Sequence, residues 1–165
     1  MKRGFYAAGL EAYPWPFVIG QNAVYLAQFG LGAALLWPLS PALAALYLGL
    51  LVYLLGFFLR RHLCTHCFYY GRRCGTGWGL LAARLYPRGS GNYALGVRAA
   101  GATWAFAYLL PFLAGVWLLF TGFSLGKLEL FVAFLLVGGL GVGWHRASCV
   151  RCKMRCRCPA SMARC

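Results

Sequence analysis

Four long apolar stretches alternate with polar segments along the chain. They cover residues 17–37, 42–59, 102–123 and 128–144. Each approaches the roughly 20 residues that a helix needs to cross a bilayer. Pro38 and Pro41 separate the first two stretches, and residues 124–127 separate the last two, so tight turns are expected at both places. The pattern predicts two transmembrane hairpins, residues 17–59 and residues 102–144.

Three polar segments flank the hairpins: an N-terminal segment (residues 1–16), a central loop (residues 60–101) and a tail (residues 145–165). In the N-terminal segment, Tyr13 and Trp15 are expected to anchor the chain at the membrane interface, where tyrosine and tryptophan are enriched. The sequence pattern of residues 78–86 in the loop predicts a short amphipathic helix that lies in the membrane interface. The predicted fold class is an all-α integral membrane protein, with four transmembrane helices and a small cysteine-rich cap.

Composition excludes a water-soluble domain, because 62% of the residues are hydrophobic and only 11% are charged. The chain has 16 Lys and Arg against 2 acidic residues, and every basic residue except Lys127 lies in the three polar segments. Four spans would place those segments on one side, which the positive-inside rule makes the cytoplasm. We therefore expect a multi-pass protein of the cell (inner, cytoplasmic) membrane, with both termini and the central loop in the cytoplasm.

The net charge of +14 calls for an anionic partner. The basic residues border the predicted spans, so a bilayer with anionic headgroups accounts for them. A larger membrane complex is a second possible partner. Nucleic acid is disfavoured as a partner, because the charge follows the membrane boundary.

The eight cysteines all fall outside the predicted spans, in the central loop and the tail. Each hairpin is followed by basic residues, a histidine and a Cys-x-x-Cys pair, namely Cys64/Cys67 and Cys149/Cys152. In a reducing compartment, such pairs more often bind metal than form disulfides. Two pairs brought together supply the four thiolates that structural zinc prefers.

A second group of cysteines follows the same two motifs. Cys74 lies in the loop, and Cys156 and Cys158 lie in the tail. Zinc is the favoured metal, and iron or an iron–sulfur cluster is the alternative for the same thiolates. Whether His62, His66 or His145 is a ligand stays open. The candidate metal ligands are Cys64, Cys67, Cys74, Cys149, Cys152, Cys156 and Cys158.

The favoured interpretation is a structural or scaffold subunit, whose thiolate site joins the central loop to the tail. Electron transfer through an iron–sulfur or rubredoxin-like centre is one alternative, and metal handling or transport is another. Enzymatic activity is disfavoured: Glu11 and Glu129 are the only acids, and the chain has no Asp for a Ser-His-Asp triad. Any enzymatic activity would be thiol- or metal-based redox chemistry.

Within the first span, Gln21, Tyr25 and Gln28 recur at helical spacing and share one face. Polar side chains in a span usually face the interior of the bundle and form hydrogen bonds there. We therefore favour the interpretation that this face packs into the interior of the bundle and forms hydrogen bonds there. A path for a quinone or an ion is the alternative.

Overall fold

The structure is a computed structural model, and it describes residues 5–156, 158, 161 and 162. This part of the chain is helical and has no β-strand. A π-helical turn (Leu54–Phe58) joins α2 to α3, and a 3₁₀ turn (Cys64–His66) follows α3. The helices are α1 (Trp15–Leu36), α2 (Pro41–Tyr53), α3 (Leu59–His62), α4 (Trp78–Leu85), α5 (Tyr93–Thr121) and α6 (Leu125–Val150).

Side-chain caps mark where three of the long helices begin. Ser40, Asn92 and Ser124 each accept a hydrogen bond from the backbone N–H three residues ahead, which satisfies one of the free donors of the first turn. Because Asn92 caps α5, residues 93–101 are helical rather than part of the central loop. Helix α6 likewise continues through residues 145–150, so the predicted tail begins as helix.

Three helical segments of the described chain are long and apolar enough to cross a membrane: Pro41–His66, Tyr93–Thr121 and Leu125–Val150. The prediction of four transmembrane helices is therefore not confirmed. The helix outside this set is α1, which has 22 residues. Gln21, Asn22 and Gln28 lower its hydropathy. Cys64 and Cys149, which the sequence placed outside the spans, lie at the ends of two of these three segments.

One face of helix α1 packs against α6, α5 and α2, while Ile19 and Leu26 on its other face are exposed. Gln21 and Gln28 are buried in this packing, with 1% and 0% of their surfaces exposed. The two glutamines thus face the bundle interior as expected. The expected hydrogen bonds are missing among the described residues at Gln21 Nε2 and at both amide atoms of Gln28. Helices α5 and α6 contact each other less than either contacts α1. Helix α1 therefore packs across the gap between them.

The N-terminal segment, the central loop and the tail meet at one end of the bundle. The backbone N–H groups of Tyr6 and Leu10 donate to the tail carbonyls of Lys153 and Arg151, over 3.0 and 2.9 Å. The N–H of Tyr13 donates to the carbonyl of Arg73 in the loop, over 2.9 Å. We call this assembly (residues 5–14, 63–92 and 151–156) the cap.

One exposed carboxylate joins all three parts of the cap. Glu11 forms salt bridges with Arg72 of the loop, over 2.8 Å, and with Lys153 of the tail, over 2.7 Å. The hydrogen bond from Lys153 is the main reason that the pKa of Glu11 is lowered. The side of the membrane that the cap faces stays a prediction.

Candidate thiol site

A buried cluster at the centre of the cap brings cysteines of the loop and the tail together. Its core consists of Tyr13, Val18, Tyr69 and Met154. Tyr13 is only 1% exposed, so it lies inside the cap. The sequence had predicted a position at the membrane interface. The cysteines that pack against this core are Cys67 and Cys74 from the loop and Cys152 and Cys158 from the tail.

Tyr69 is the main polar connection within the cluster. Its hydroxyl donates to the carbonyl oxygen of Leu10, over 2.7 Å, and accepts from the backbone N–H of Lys153, over 3.1 Å. The side chain is 1% exposed. A single loop residue therefore satisfies backbone groups of both the N-terminal segment and the tail.

Replacing Tyr69 by Phe is expected to destabilise the cap. The change keeps the ring but leaves the Leu10 carbonyl and the Lys153 N–H without this partner, and each such loss costs about 1–3 kcal/mol. Thermal unfolding of the detergent-solubilised protein should show a lower Tm. Tyr53→Phe is the matched control, because Tyr53 is 54% exposed and lies in the apolar segment. Equal Tm values for the two variants would contradict the role of Tyr69.

A cavity of about 310 Å³ lies beside the cluster. Cys64 and Cys67 line it from the loop, and Met154 and Cys158 line it from the tail. Trp104 and Val97 of α5 complete its apolar wall. Sulfur-containing residues from both parts of the chain thus line one partly open cavity.

Burial keeps the central thiols protonated. It raises the pKa of Cys67 to about 12, and the neighbouring thiols of Cys74, Cys64 and Cys152 add to this effect. Burial also raises the pKa of Cys152 to about 11, with a further contribution from Cys158 and Cys149. Each thiolate would repel the others, which shows that the loop and tail sulfurs share one electrostatic environment.

In metal-free protein, Cys67 should react slowly with iodoacetamide. A raised pKa means less thiolate at every pH below about 12, so at pH 8 Cys67 holds roughly three powers of ten less thiolate than a thiol with a pKa of 9. Its alkylation rate should rise about tenfold per pH unit between pH 8 and 11. Peptide mass spectrometry can follow the reaction. The detergent-denatured chain is the control, and equal rates in both states would contradict the burial of this thiol.

Arg60 is a buried cation beside these thiols. It is 3% exposed, and its guanidinium lies 3.6 Å from the centroid of the Trp78 ring. Both salt bridges of the described residues use Glu11 and other basic partners. The Nε and Nη1 atoms of Arg60 have no hydrogen-bond partner within the described chain. A buried cation of this kind favours an anionic group nearby.

The three histidines have defined local partners. His62 Nδ1 accepts from the N–H of Asn92, over 2.9 Å, and His66 Nε2 lies 3.1 Å from the carbonyl oxygen of Ser90. These two residues therefore hold the loop against the start of α5. His145 Nε2 lies 3.5 Å from Cys149 Sγ, one helical turn along α6. Of the three, only His145 contacts a candidate ligand.

Within residues 5–156, 158, 161 and 162, no three His, Cys, Asp or Glu side chains are arranged to hold a metal ion. Cys64, Cys67, Cys74, Cys149, Cys152 and Cys158 form no disulfide bonds. Cys156 stays a predicted ligand. The loop and tail thiols thus surround one region without forming a closed set of ligands.

Several residues that organise the site were not predicted from the sequence. Tyr69 and Met154 belong to its core, and Arg60 supplies its buried charge. The aromatic run that follows Cys67 was the only signal for Tyr69. In the sequence, Arg60 looked like one of the many basic residues that border a transmembrane helix on the cytoplasmic side.

No protein family, curated protein or solved structure matches this chain.

Proposed function

We propose that this membrane protein is a structural or scaffold subunit, whose cap thiols bind one zinc ion and so join the central loop to the tail. The observation that carries the proposal is the packing of Cys67, Cys74, Cys152 and Cys158 around one buried cluster. Two of these cysteines belong to the loop and two to the tail. Four thiols are the ligand set that structural zinc prefers.

Cys67 and Cys152 are the members of this set that we assign first, because each belongs to a Cys-x-x-Cys pair and both are half-buried against the cluster. Cys74 and Cys158 pack against the same cluster. Cys64 and Cys149, the other members of the two pairs, are the reserve ligands. Zinc binding would draw the thiols together and displace their protons, so metal affinity would rise with pH.

The positive charge of Arg60 favours an anionic zinc–thiolate centre among the cap thiols. Zinc with four thiolates carries a net charge of −2, and a buried guanidinium without a carboxylate partner would offset part of it. Basic residues near thiols also favour their ionised form. In this proposal, Arg60 and the zinc–thiolate centre stabilise each other across the apolar interior of the cap.

The cap is proposed to face the cytoplasm, where its cysteines stay reduced and where its basic residues meet anionic lipid headgroups. Glu11 is the only acid of the cap and is already paired with Arg72 and Lys153. Arg84 and Arg88 of the cap are exposed, and we propose that they act on the membrane surface or on an acidic neighbour in a larger complex.

Elemental analysis with a visible spectrum tests the proposal on anaerobically purified, detergent-solubilised protein. The expected result is about one zinc per chain and no colour. Iron with charge-transfer absorption would replace the scaffold proposal with electron transfer at the membrane surface. Absence of any metal, together with a free-thiol count near zero, would indicate disulfides and would also overturn the cytoplasmic orientation.

A further inference from the structure

A second cavity, far from the cap, opens halfway along α5 and α6. It has a volume of about 400 Å³. Leu109, Leu135 and Val142 lie at its rim with roughly half of their surfaces exposed, so the cavity opens sideways, toward the lipid. Helix α1 forms its floor. The lining includes Gln28, Tyr108, Phe112, Phe134, Gly138 and Gly139.

Gln28 is the polar feature of this groove. It lines the cavity and is 0% exposed to solvent in the described structure. Neither its Nε2 nor its Oε1 atom has a hydrogen-bond partner among the described residues. An unpartnered buried amide is costly, and in a membrane no water competes to satisfy it. The amide therefore calls for a ligand that accepts a hydrogen bond from Nε2 or donates one to Oε1.

Glycine leaves the space in front of this amide. A methyl group added at Gly138 would lie 3.4 Å from both Gln28 Nε2 and Gln28 Oε1, and 3.4 Å from the Tyr108 ring. Gly138 thus borders a slot between the amide and the aromatic side chain. Phe112 and Phe134 provide further aromatic walls. Aromatic walls of this kind can stack against a flat ring.

We infer that the groove binds the ring of a lipid-soluble quinone. A quinone carbonyl would accept a hydrogen bond from Gln28 Nε2, and the hydroxyl of the reduced quinol would donate to Gln28 Oε1. A lipid acyl chain has no polar atom for either role. No charged side chain lines the cavity, which disfavours an ion. The inference is independent of the thiol site and of the metal bound there.

Binding of decyl-benzoquinone to the purified protein in nanodiscs tests the inference. Trp104 gives the signal, because its ring centroid lies 6.1 Å from that of Tyr108 and quinones quench tryptophan fluorescence. Gln28→Leu removes both hydrogen-bonding atoms at similar size and should raise the Kd at least tenfold. The variant should fold normally, since the change replaces an unpartnered amide by an apolar group.

Two further variants test whether the quinone binds in the slot beside Gly138 or elsewhere on the surface of α6. Gly138→Leu should fill the slot and also raise the Kd at least tenfold. Gly143→Leu is the matched control, because it lies on the same helix and a Cβ there meets no atom within 4 Å. Its Kd should equal that of the wild-type protein.

The outcomes are distinct. An azido-quinone should crosslink to peptides of α5 and α6 that contain Tyr108 and Gly138, and decylbenzene should not compete. Equal Kd values for the wild type and Gln28→Leu would overturn the inference. So would a decylbenzene that competes as well as the quinone, because both results would mean that the quinone only partitions into an apolar surface. Crosslinking of the groove to a second protein chain, unaffected by quinone, would also overturn it.

Discussion

Replacing Cys67 and Cys152 together by Ser is expected to reduce bound zinc from about one to less than 0.1 per chain. The double change removes one thiolate from the loop and one from the tail, so the remaining thiols could no longer close a tetrahedral site across the cap. The Tm should fall by about 10 °C or more, because metal binding contributes directly to folding. Elemental analysis and thermal unfolding of the detergent-solubilised protein measure both effects.

A zinc chelator provides the control for this prediction. The chelator should lower the Tm of the wild-type protein to nearly that of the double variant, and should leave the variant itself unchanged. This pattern separates loss of metal from a simple packing defect. Full zinc content in the double variant would contradict the assignment of Cys67 and Cys152 as ligands.

Replacing Gly79 by Ala is expected to disrupt the cap. Gly79 lies in the first turn of α4, and its own carbonyl accepts a hydrogen bond from the N–H of Gly71, over 3.0 Å. A Cβ at this position would collide with the carbonyl oxygen of Tyr69 and lie 2.7 Å from that of Arg72. Both obstacles are backbone atoms, so the loop that carries Tyr69 would have to move away from α4.

The expected cost is about 3 kcal/mol, at the upper end of the range for overpacking, with a fall in both Tm and zinc content. Gly101→Ala is the matched control, because a Cβ there meets no atom within 4 Å. Alanine in that helical position should leave stability unchanged or raise it by about 0.5–1 kcal/mol. A Gly79→Ala variant that matches Gly101→Ala in Tm would show that α4 does not pack closely against the loop.

The main helical elements could be predicted because their signals are local. Pro41 opens α2 after a proline-rich turn, and Ser124 caps α6. The short helix expected over residues 78–86 corresponds to α4 (Trp78–Leu85). Hydrophobic length and turn residues both act within a few positions of the chain, so one sequence is enough to find them.

The start of α5 was missed although a signal for it is present. Asn92 precedes an apolar helical pattern and caps the helix through its side chain. The predicted span began at residue 102, nine residues further along the chain than Tyr93. Helix α1 (Trp15–Leu36) lies close to the stretch predicted over residues 17–37. Its assignment as a transmembrane helix is not confirmed, because Gln21, Asn22 and Gln28 lower its hydropathy.

The pairing of the loop with the tail was expected from the repeated Cys-x-x-Cys motif. The way in which the cap assembles was not, because it depends on long-range contacts without a sequence pattern. Leu10 and Tyr6 bond to the tail through backbone atoms, which any residue could supply. Tyr69 resembles an interfacial aromatic residue until the fold surrounds it with three segments of the chain.

X-ray absorption at the zinc edge tests the central claim most directly. On the purified, zinc-loaded protein, the account predicts a first shell of four sulfur atoms at about 2.3 Å. The shell should lose sulfur when Cys67 and Cys152 are replaced by Ser. A first shell made of nitrogen and oxygen alone, or one that is unchanged in the double variant, would contradict a zinc–thiolate link between the central loop and the tail.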